Sequence, residues 1–150
     1  MLATEMRGAE IHTKLFFRLY QTMNLSLRRT AEVLGEYEMS AQQWSILTTL
    51  NKPRHQKGIT VNALVDYLLV SRQSLNGVLK RMEESGYTER MVNPDDLRSR
   101  QICITAYGRK VCKEVEPQVR KFHCASFQHI SEEDKINSLQ LLTKVMGNIR

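Results

Sequence analysis

Several sequence features that mark membrane and secreted proteins are missing from this chain. No run of about eighteen apolar residues, the length needed to cross a membrane, occurs in the 150 residues. The first ten residues include Glu5, Arg7 and Glu10, and they lack the apolar segment that follows a basic start in a secretory signal. We therefore expect one cytoplasmic folded unit, residues 1–150, with no membrane partner.

Cysteine is scarce and its spacing is uninformative. Cys103, Cys112 and Cys124 lack the two-residue spacing of a zinc knuckle, and their odd number does not suit a closed disulfide framework. We interpret them as small apolar residues in a reducing compartment. A thiol-based redox-sensing regulator is the alternative, for which only Cys112, between Lys110 and Lys113, has basic neighbours in sequence.

Sequence signatures of catalysis are also absent. None of the 4 histidines belongs to a His-Glu-x-x-His pair, and there is neither a glycine-rich phosphate loop nor a Gly-x-Ser-x-Gly turn. We therefore predict no enzyme activity, no metal and no cofactor.

Basic charge is concentrated in one part of the chain. The net charge is +6 and the isoelectric point about 9.4. Residues 71–113 contain nine basic and five acidic side chains, so most of the excess lies in under a third of the sequence. This distribution favours a polyanionic partner.

Apolar spacing predicts a long first helix between His12 and Leu34, ending near Gly35. Ser40 and Gln43 form a capping-box pattern that predicts the start of a second helix. Thr60 is a good N-cap for a third helix.

Ser71 is an N-cap candidate for a fourth helix, which Gly86 would end. Leu75, Val78, Leu79 and Met82 would form its buried side.

The pattern then changes to two β-prone runs within residues 87–105, separated by an Asn-Pro-Asp-Asp tip, which predicts a hairpin. A helix beginning at Thr105, with Pro117 as a potential kink, and a last helix capped by Ser131 complete the chain.

Two short helices joined by a tight turn and followed by a hairpin suit a winged helix-turn-helix that places its second helix in the major groove. Periodicity alone favours an ordinary amphipathic surface helix over a recognition helix, and the hairpin that follows shifts the balance to DNA binding. Arg72 can bridge guanine acceptors or phosphate, and the amides of Gln73 and Asn76 match the donor and acceptor of adenine. Arginines at the hairpin tip suit a narrow minor groove. The predicted DNA-binding residues are Ser71, Arg72, Gln73, Ser74, Asn76, Lys80, Asp96, Arg98 and Arg100.

Three segments together carry a family resemblance: residues 69–87 (LVSRQSLNGVLKRMEESGY), 93–100 (NPDDLRSR) and 104–108 (ITAYG). In this order they resemble the MarR family of winged-helix regulators. The resemblance implies a mainly α fold with a small β-hairpin wing, dimerisation helices at residues 10–35 and 106–150, and a DNA-binding lobe at 40–105. It also implies a homodimer on a near-palindromic duplex. Leu97 stands where the family commonly has arginine, which removes one wing phosphate contact.

A narrower resemblance concerns the effector. Residues 16–21 (FFRLYQ), 41–44 (AQQW) and 70–73 (VSRQ) are similar to family members that respond to an aromatic acid or its coenzyme A thioester. The resemblance implies a pocket between the first two helices and the DNA-binding lobe. Core packing is the alternative role for the Phe and Trp residues, and a solvated helix face for His12 and Arg18. The candidate lining residues are His12, Phe16, Arg18, Tyr20, Tyr37, Trp44 and Tyr67.

We conclude from the sequence that the chain is a DNA-binding transcription regulator, with release of a repressor by a small ligand as the expected mechanism and aromatic-compound catabolism as the expected setting. A winged-helix module that binds another protein is the competing class, because a fold does not dictate its function. Such a module would need an apolar recognition helix, whereas this one carries Arg72, Gln73, Asn76 and Lys80.

Overall fold

A computed structural model describes the backbone from Leu2 to Arg150 and the side chains from Arg7 onward, so Glu5 of the N-terminal segment lies outside the described side chains. The chain forms two compact units, residues 1–118 and 119–150. The α-helices and strands are α1 (Leu2–Val33), α2 (Ala41–Leu50), β1 (Ile59–Thr60), α3 (Val61–Leu68), α4 (Arg72–Glu84), β2 (Thr88–Asn93), β3 (Asp96–Ile104), α5 (Ala106–Ser126) and α6 (Glu132–Ile149). Two short 3-10 helices, Gly35–Tyr37 and Pro53–His55, lie on either side of α2.

Helix α1 begins earlier than the apolar pattern predicted. Its apolar stripe is not covered within a single chain, since Leu15, Phe16, Leu19, Met23 and Leu27 are between 39% and 57% exposed. Among the described side chains of this helix, burial is confined to the C-terminal end, at Thr30 and at Leu34 just beyond it. The predicted start was wrong because the apolar spacing used to find this helix begins only at Leu15 and says nothing about the residues before His12.

Side-chain caps start the next three helices as predicted. The Ser40 hydroxyl accepts a hydrogen bond from the Gln43 amide at 3.1 Å, and the Gln43 side chain accepts one from the Ser40 amide at 2.9 Å. Thr60 caps α3 through the Ala63 amide, and Ser71 caps α4 through the Ser74 amide. Each cap satisfies a backbone donor that the first helical turn leaves free, which fixes where each helix begins.

The core of the first unit is built from these helices and the sheet. Leu75, Leu79 and Met82 of α4 are fully buried, as is Leu64 of α3. They pack in a core that also contains Leu47 and Leu50 of α2 and Ile102 of β3, all of them 0% exposed. The predicted buried side of α4 is therefore confirmed, and its opposite side is free for a ligand.

Three strands form an antiparallel sheet in the order β1-β3-β2. Strand β1 was not predicted, because two residues are too few to show an alternating pattern. It pairs Ile59 with Ile102 and Thr60 with Gln101. Gly58 precedes it with φ +95°, and a Cβ at this position would lie 2.6 Å from the Cys103 sulfur, so the close approach of this loop requires glycine.

The C-terminal helices start where the sequence indicated. The Thr105 hydroxyl accepts a hydrogen bond from the Gly108 amide at 3.0 Å, and the Ser131 hydroxyl accepts one from the Asp134 amide at 3.1 Å. Helix α5 continues through Pro117. In α6 the apolar residues Ile136, Leu139, Leu142, Met146 and Ile149 are 37% to 68% exposed. Within the described residues, no helix is long and apolar enough to span a membrane.

Candidate nucleic-acid interface

The outward side of α4 carries the predicted base-reading residues. Ser71, Arg72, Gln73, Ser74, Asn76 and Lys80 are all exposed. Because the opposite side is fixed in the core by Leu75, Leu79 and Met82, the helix presents a rigid polar face. Ser74 is also within 3.4 Å of the Gln42 side-chain nitrogen of α2, a contact that the sequence did not suggest.

Gly77 lies at the centre of this polar face. A Cβ at this position would meet only the Arg81 guanidinium, at 3.9 Å, so the protein itself does not require a glycine here. Gly in the interior of a helix costs stability relative to Ala. The residue therefore suits a surface to which another molecule comes close.

The wing tip is held by local hydrogen bonds. Asn93 is buried (9% exposed), its side-chain amide donates to the Ser99 hydroxyl at 2.9 Å, and its carbonyl accepts from the Asp95 backbone amide at 3.0 Å. The Asp96 carboxylate accepts a hydrogen bond from the backbone amide of Arg98 at 3.0 Å. Asp96 thus orders the backbone of the tip through the amide of Arg98. Arg98 and Arg100 are both exposed.

A cleft of about 340 Å³ lies between α4, the predicted recognition helix, and the wing, which is the hairpin of β2 and β3. It brings together Arg72 and Asn76 of α4 with Arg100 of β3, three of the predicted DNA-binding residues. Five further lining residues were missed by the sequence analysis: Thr60, Val61, Asn62, Arg90 and Ser99. The sequence could not place these residues together, because they are far apart in the chain. Strand β1 and the start of α3 lie next to the wing because β1 pairs with β3.

Arg90 of β2 is held by an acidic partner on the recognition helix. Its Nε atom lies 2.5 Å from Oε1 of Glu83, and the two side chains are 36% and 30% exposed. Arg90 was counted in the basic cluster but was not among the predicted site residues. The cleft therefore has three guanidinium groups, from Arg72, Arg90 and Arg100, contributed by three different elements.

The four effector candidates on α1 are all exposed. They are His12, Phe16, Arg18 and Tyr20, and Phe16 and Tyr20 are 53% and 64% exposed. The Tyr20 ring stacks on Phe17 with ring centroids 6.5 Å apart, and the Arg18 guanidinium donates to the Gln21 side chain at 3.1 Å. Both contacts are made within the helix.

The other three candidates have separate surroundings. Trp44 is buried in α2 at 7% exposure. Tyr37 donates a hydrogen bond to Glu114 at 3.4 Å, and burial together with this carboxylate raises the pKa of Tyr37. Tyr67 accepts a hydrogen bond from Lys52 at 2.5 Å, which lowers the pKa of Tyr67. Among the described side chains, no hydrogen bond, ion pair or ring contact joins any two of the seven candidates.

The cysteines lie in different environments. Cys103 and Cys112 are buried, and Cys124 is exposed. Burial raises the pKa of Cys112 to about 11, and burial followed by the Glu89 carboxylate raises the pKa of Cys103. In the part of the chain that the structure describes, no group of three or more His, Cys, Asp or Glu side chains could hold a metal ion.

Known proteins match both the sequence and the fold. BadR, a transcriptional activatory protein of Rhodopseudomonas palustris, is 32% identical over 142 residues, which cover 94% of this chain and 81% of BadR. The homoprotocatechuate degradative operon repressor of Escherichia coli is 22% identical over 136 residues, covering 91% of this chain and 87% of the repressor. A mutant of MarR from E. coli, solved in complex with operator DNA, shares the fold with a TM-score of 0.78 at 24% identity, covering 88% of this chain and 93% of MarR.

The family model for MarR matches residues 39–99, the part of the chain that contains α2, the two helices of the helix-turn-helix and most of the wing. BadR extends the similarity over nearly the whole chain. The chain therefore belongs to the MarR family of winged helix-turn-helix transcription regulators.

Proposed function

We propose that the protein binds a near-palindromic duplex as a homodimer, with α4 of each subunit in a major groove. One observation carries the proposal. The rigid outward side of α4 presents Gln73 and Asn76 next to three arginines, Arg72, Arg90 and Arg100, that line the cleft together with Asn76. Base-edge readers next to phosphate ligands are the combination that sequence-specific binding needs.

The cleft has a specific role in this arrangement. If α4 enters the major groove and the tip at Arg98 enters the adjacent minor groove, the strand that separates the two grooves passes between them. The space between them is the cleft, where Arg72, Arg90 and Arg100 would meet its phosphates. Ser71, Ser74 and Lys80 would add contacts from the edges of the interface, and Asp96 would hold the wing tip in its conformation.

Exposed apolar helix faces support the homodimer. The stripe of α1 from Leu15 to Leu27 and the apolar residues of α6 are both uncovered in a single chain. Contiguous apolar surface of this kind marks an interface in a soluble protein. We assign dimerisation to residues 10–35 and 106–150, and DNA binding to residues 40–105.

The test is selection of bound duplexes from a random pool, followed by sedimentation of the free protein. We expect a near-palindrome with half-sites about 10 base pairs apart, because two-fold related helices must meet successive major grooves. We also expect a dimer at micromolar concentration. A monomer, or equal affinity for the selected and random duplexes at moderate salt, would contradict the proposal.

We further propose that an aromatic acid or its thioester controls DNA binding. The support is the aromatic and basic surface of α1, with Phe16, Arg18 and Tyr20 exposed, and the similarity to a repressor whose name refers to an aromatic acid. A ligand that binds better to a spacing of the recognition helices unsuited to DNA lowers operator affinity by linkage. BadR is named as an activatory protein and the other relative as a repressor, so regulation of either sign is compatible with the family.

A thermal-shift screen of aromatic acids and thioesters, followed by a DNA-release assay with each hit, tests this second proposal. Arg18→Ala is expected to reduce ligand-induced release while leaving the operator affinity of the free protein unchanged. Arg28→Ala removes another exposed cation from the same helix and serves as the matched control. Equal release from Arg18→Ala, Arg28→Ala and the parent would contradict the assigned pocket without affecting the DNA-binding assignment.

We assign no catalytic step and no cofactor to the chain. The named relatives are regulators, which agrees with this assignment. A regulator that acts on an operator works where the DNA is, so we place the protein in the cytoplasm.

A further inference from the structure

We propose that Glu83 is a positioning residue for DNA recognition, because it fixes the guanidinium of Arg90 in the cleft where a backbone phosphate binds. This inference rests on the proposed DNA-binding function and deepens it. Neither Glu83 nor Arg90 was among the DNA-binding residues predicted from the sequence.

The geometry of α4 places Glu83 beside the cleft. Glu83 follows Asn76 by seven residues, or two helical turns, so both side chains leave the helix on the same side. Arg72 precedes Asn76 by one turn on that side. The side of α4 that faces the wing therefore carries a cation, a base reader and an acid in succession.

Arg90 approaches from the wing. It lies in β2, where its backbone is opposite Ile102 of the central strand. Its Nε atom is bound to Glu83 Oε1 at 2.5 Å while its side chain still lines the cleft. A guanidinium has five N–H donors, so one edge can bind a carboxylate while others bind a phosphate.

Fixing Arg90 in advance has a measurable consequence. A free arginine side chain loses rotamer freedom when it binds phosphate, whereas one already held by Glu83 loses less. The carboxylate also repels phosphates in general. Glu83 should thus strengthen the specific complex, in which Arg90 meets a phosphate at a fixed place, and weaken loose association with random DNA.

The first experiment compares Glu83→Gln with Glu84→Gln in the full-length protein. Both variants remove one negative charge from the last turns of α4, but Glu83 forms the ion pair with Arg90, whereas Glu84 is exposed and is not its partner. For Glu83→Gln we expect affinity for the selected duplex to fall by about five- to tenfold, the size of effect common for one ordered charged contact, with unchanged or tighter binding to random duplex. Glu84→Gln should show no loss on either duplex.

A double-mutant cycle with Arg90→Gln separates positioning from general electrostatics. Arg90→Gln alone should lower the slope of log affinity against log salt by about 0.9, the value for one lost phosphate contact. Glu83→Gln added to Arg90→Gln should cause no further loss on the selected duplex, because Glu83 acts through Arg90. Thermal midpoints of all variants should match that of the parent, since exposed ion pairs contribute little to stability.

Three results would overturn the inference: equal behaviour of Glu83→Gln and Glu84→Gln, a parallel loss on random duplex, or a full additional loss in the Arg90→Gln background. If the parent protein binds the selected duplex specifically and any of these occurs, only the role of Glu83 is refuted. If the parent shows no duplex preference, the proposed function fails together with the inference.

Discussion

The Tyr87 hydroxyl donates a hydrogen bond to the Tyr37 backbone carbonyl at an oxygen–oxygen distance of 3.2 Å. Tyr87 directly follows Gly86, at the end of the recognition helix, and Tyr37 lies in the short turn after α1. The Tyr87 ring is buried at 6% exposure and stacks on Tyr107 of α5, with ring centroids 5.4 Å apart. One side chain thus connects the segment that follows the recognition helix with the turn after α1 and with α5.

We expect Tyr87→Phe to lower the free energy of unfolding by about 1 kcal/mol, since the ring is kept and one partly buried hydrogen bond is lost. Denaturant unfolding monitored by circular dichroism measures the change. Tyr20→Phe removes a hydroxyl from an exposed ring and should be neutral. If both variants lowered the free energy of unfolding equally, the loss would follow from removing any tyrosine hydroxyl. The hydrogen bond to Tyr37 would then contribute nothing specific to stability.

Gly108 is the site at which an added methyl group should be most damaging. A Cβ there would lie 2.4 Å from the Tyr87 carbonyl oxygen and 2.8 Å from Ile104 Cγ1. Forcing the helix away from buried backbone costs about 1–3 kcal/mol, so Gly108→Ala should lower the unfolding midpoint. Gly35→Ala, where a Cβ meets nothing within 4 Å, is the control. Identical midpoints for the two variants would contradict the packing described for the start of α5.

Gly77→Ala should raise the stability of the protein and lower its affinity for DNA. The methyl group meets no close protein atom, so replacing a helix-interior glycine should raise the free energy of unfolding by about 0.5–1 kcal/mol. The same methyl group projects from the centre of the surface assigned to the major groove, and affinity for the selected duplex should fall. A more stable variant with unchanged affinity would show that DNA does not come close to this part of α4.

The thiols provide a test of the redox-sensing alternative. With a pKa of about 11, Cys112 is almost entirely a neutral thiol at neutral pH, and the raised pKa of Cys103 has the same effect. We expect alkylation at pH 7.5 to modify Cys124 first, and dilute peroxide to leave the affinity for duplex DNA unchanged. Release of DNA by peroxide that is lost in Cys112→Ser would support redox sensing instead.

Local signals made much of the fold predictable from the sequence. The caps at Ser40, Thr60 and Ser71 and the apolar spacing in α4 depend on neighbours within one helical turn or one helix face, and each was confirmed. The start of α1 has no such signal. Strand β1 exists only through its pairing with β3, which joins residues more than forty positions apart.

The candidate interface was also predictable only where local signals were enough. Exposed polar residues of α4 could be named from helical periodicity, because the buried side defines the opposite one. The lining residues Asn62 and Arg90 could not, because they lie in two other elements, α3 and β2, which only the fold brings beside α4. The effector candidates Tyr37 and Tyr67 have different partners in the structure, Glu114 for one and Lys52 for the other, so their common role stays a prediction.

We propose that α4 reads base edges while the wing binds the phosphate backbone of the DNA. The most direct test of this proposal is the affinity of Asn76→Ala for the selected duplex, for single-base variants of that duplex and for random DNA, with Arg98→Ala as the comparison. Asn76→Ala should lose about 1–3 kcal/mol on the selected duplex and relax preference at one base position, whereas Arg98→Ala should weaken binding to all duplexes with a shallower salt dependence. Equal losses for Asn76→Ala on selected and random duplexes would contradict base reading by this helix.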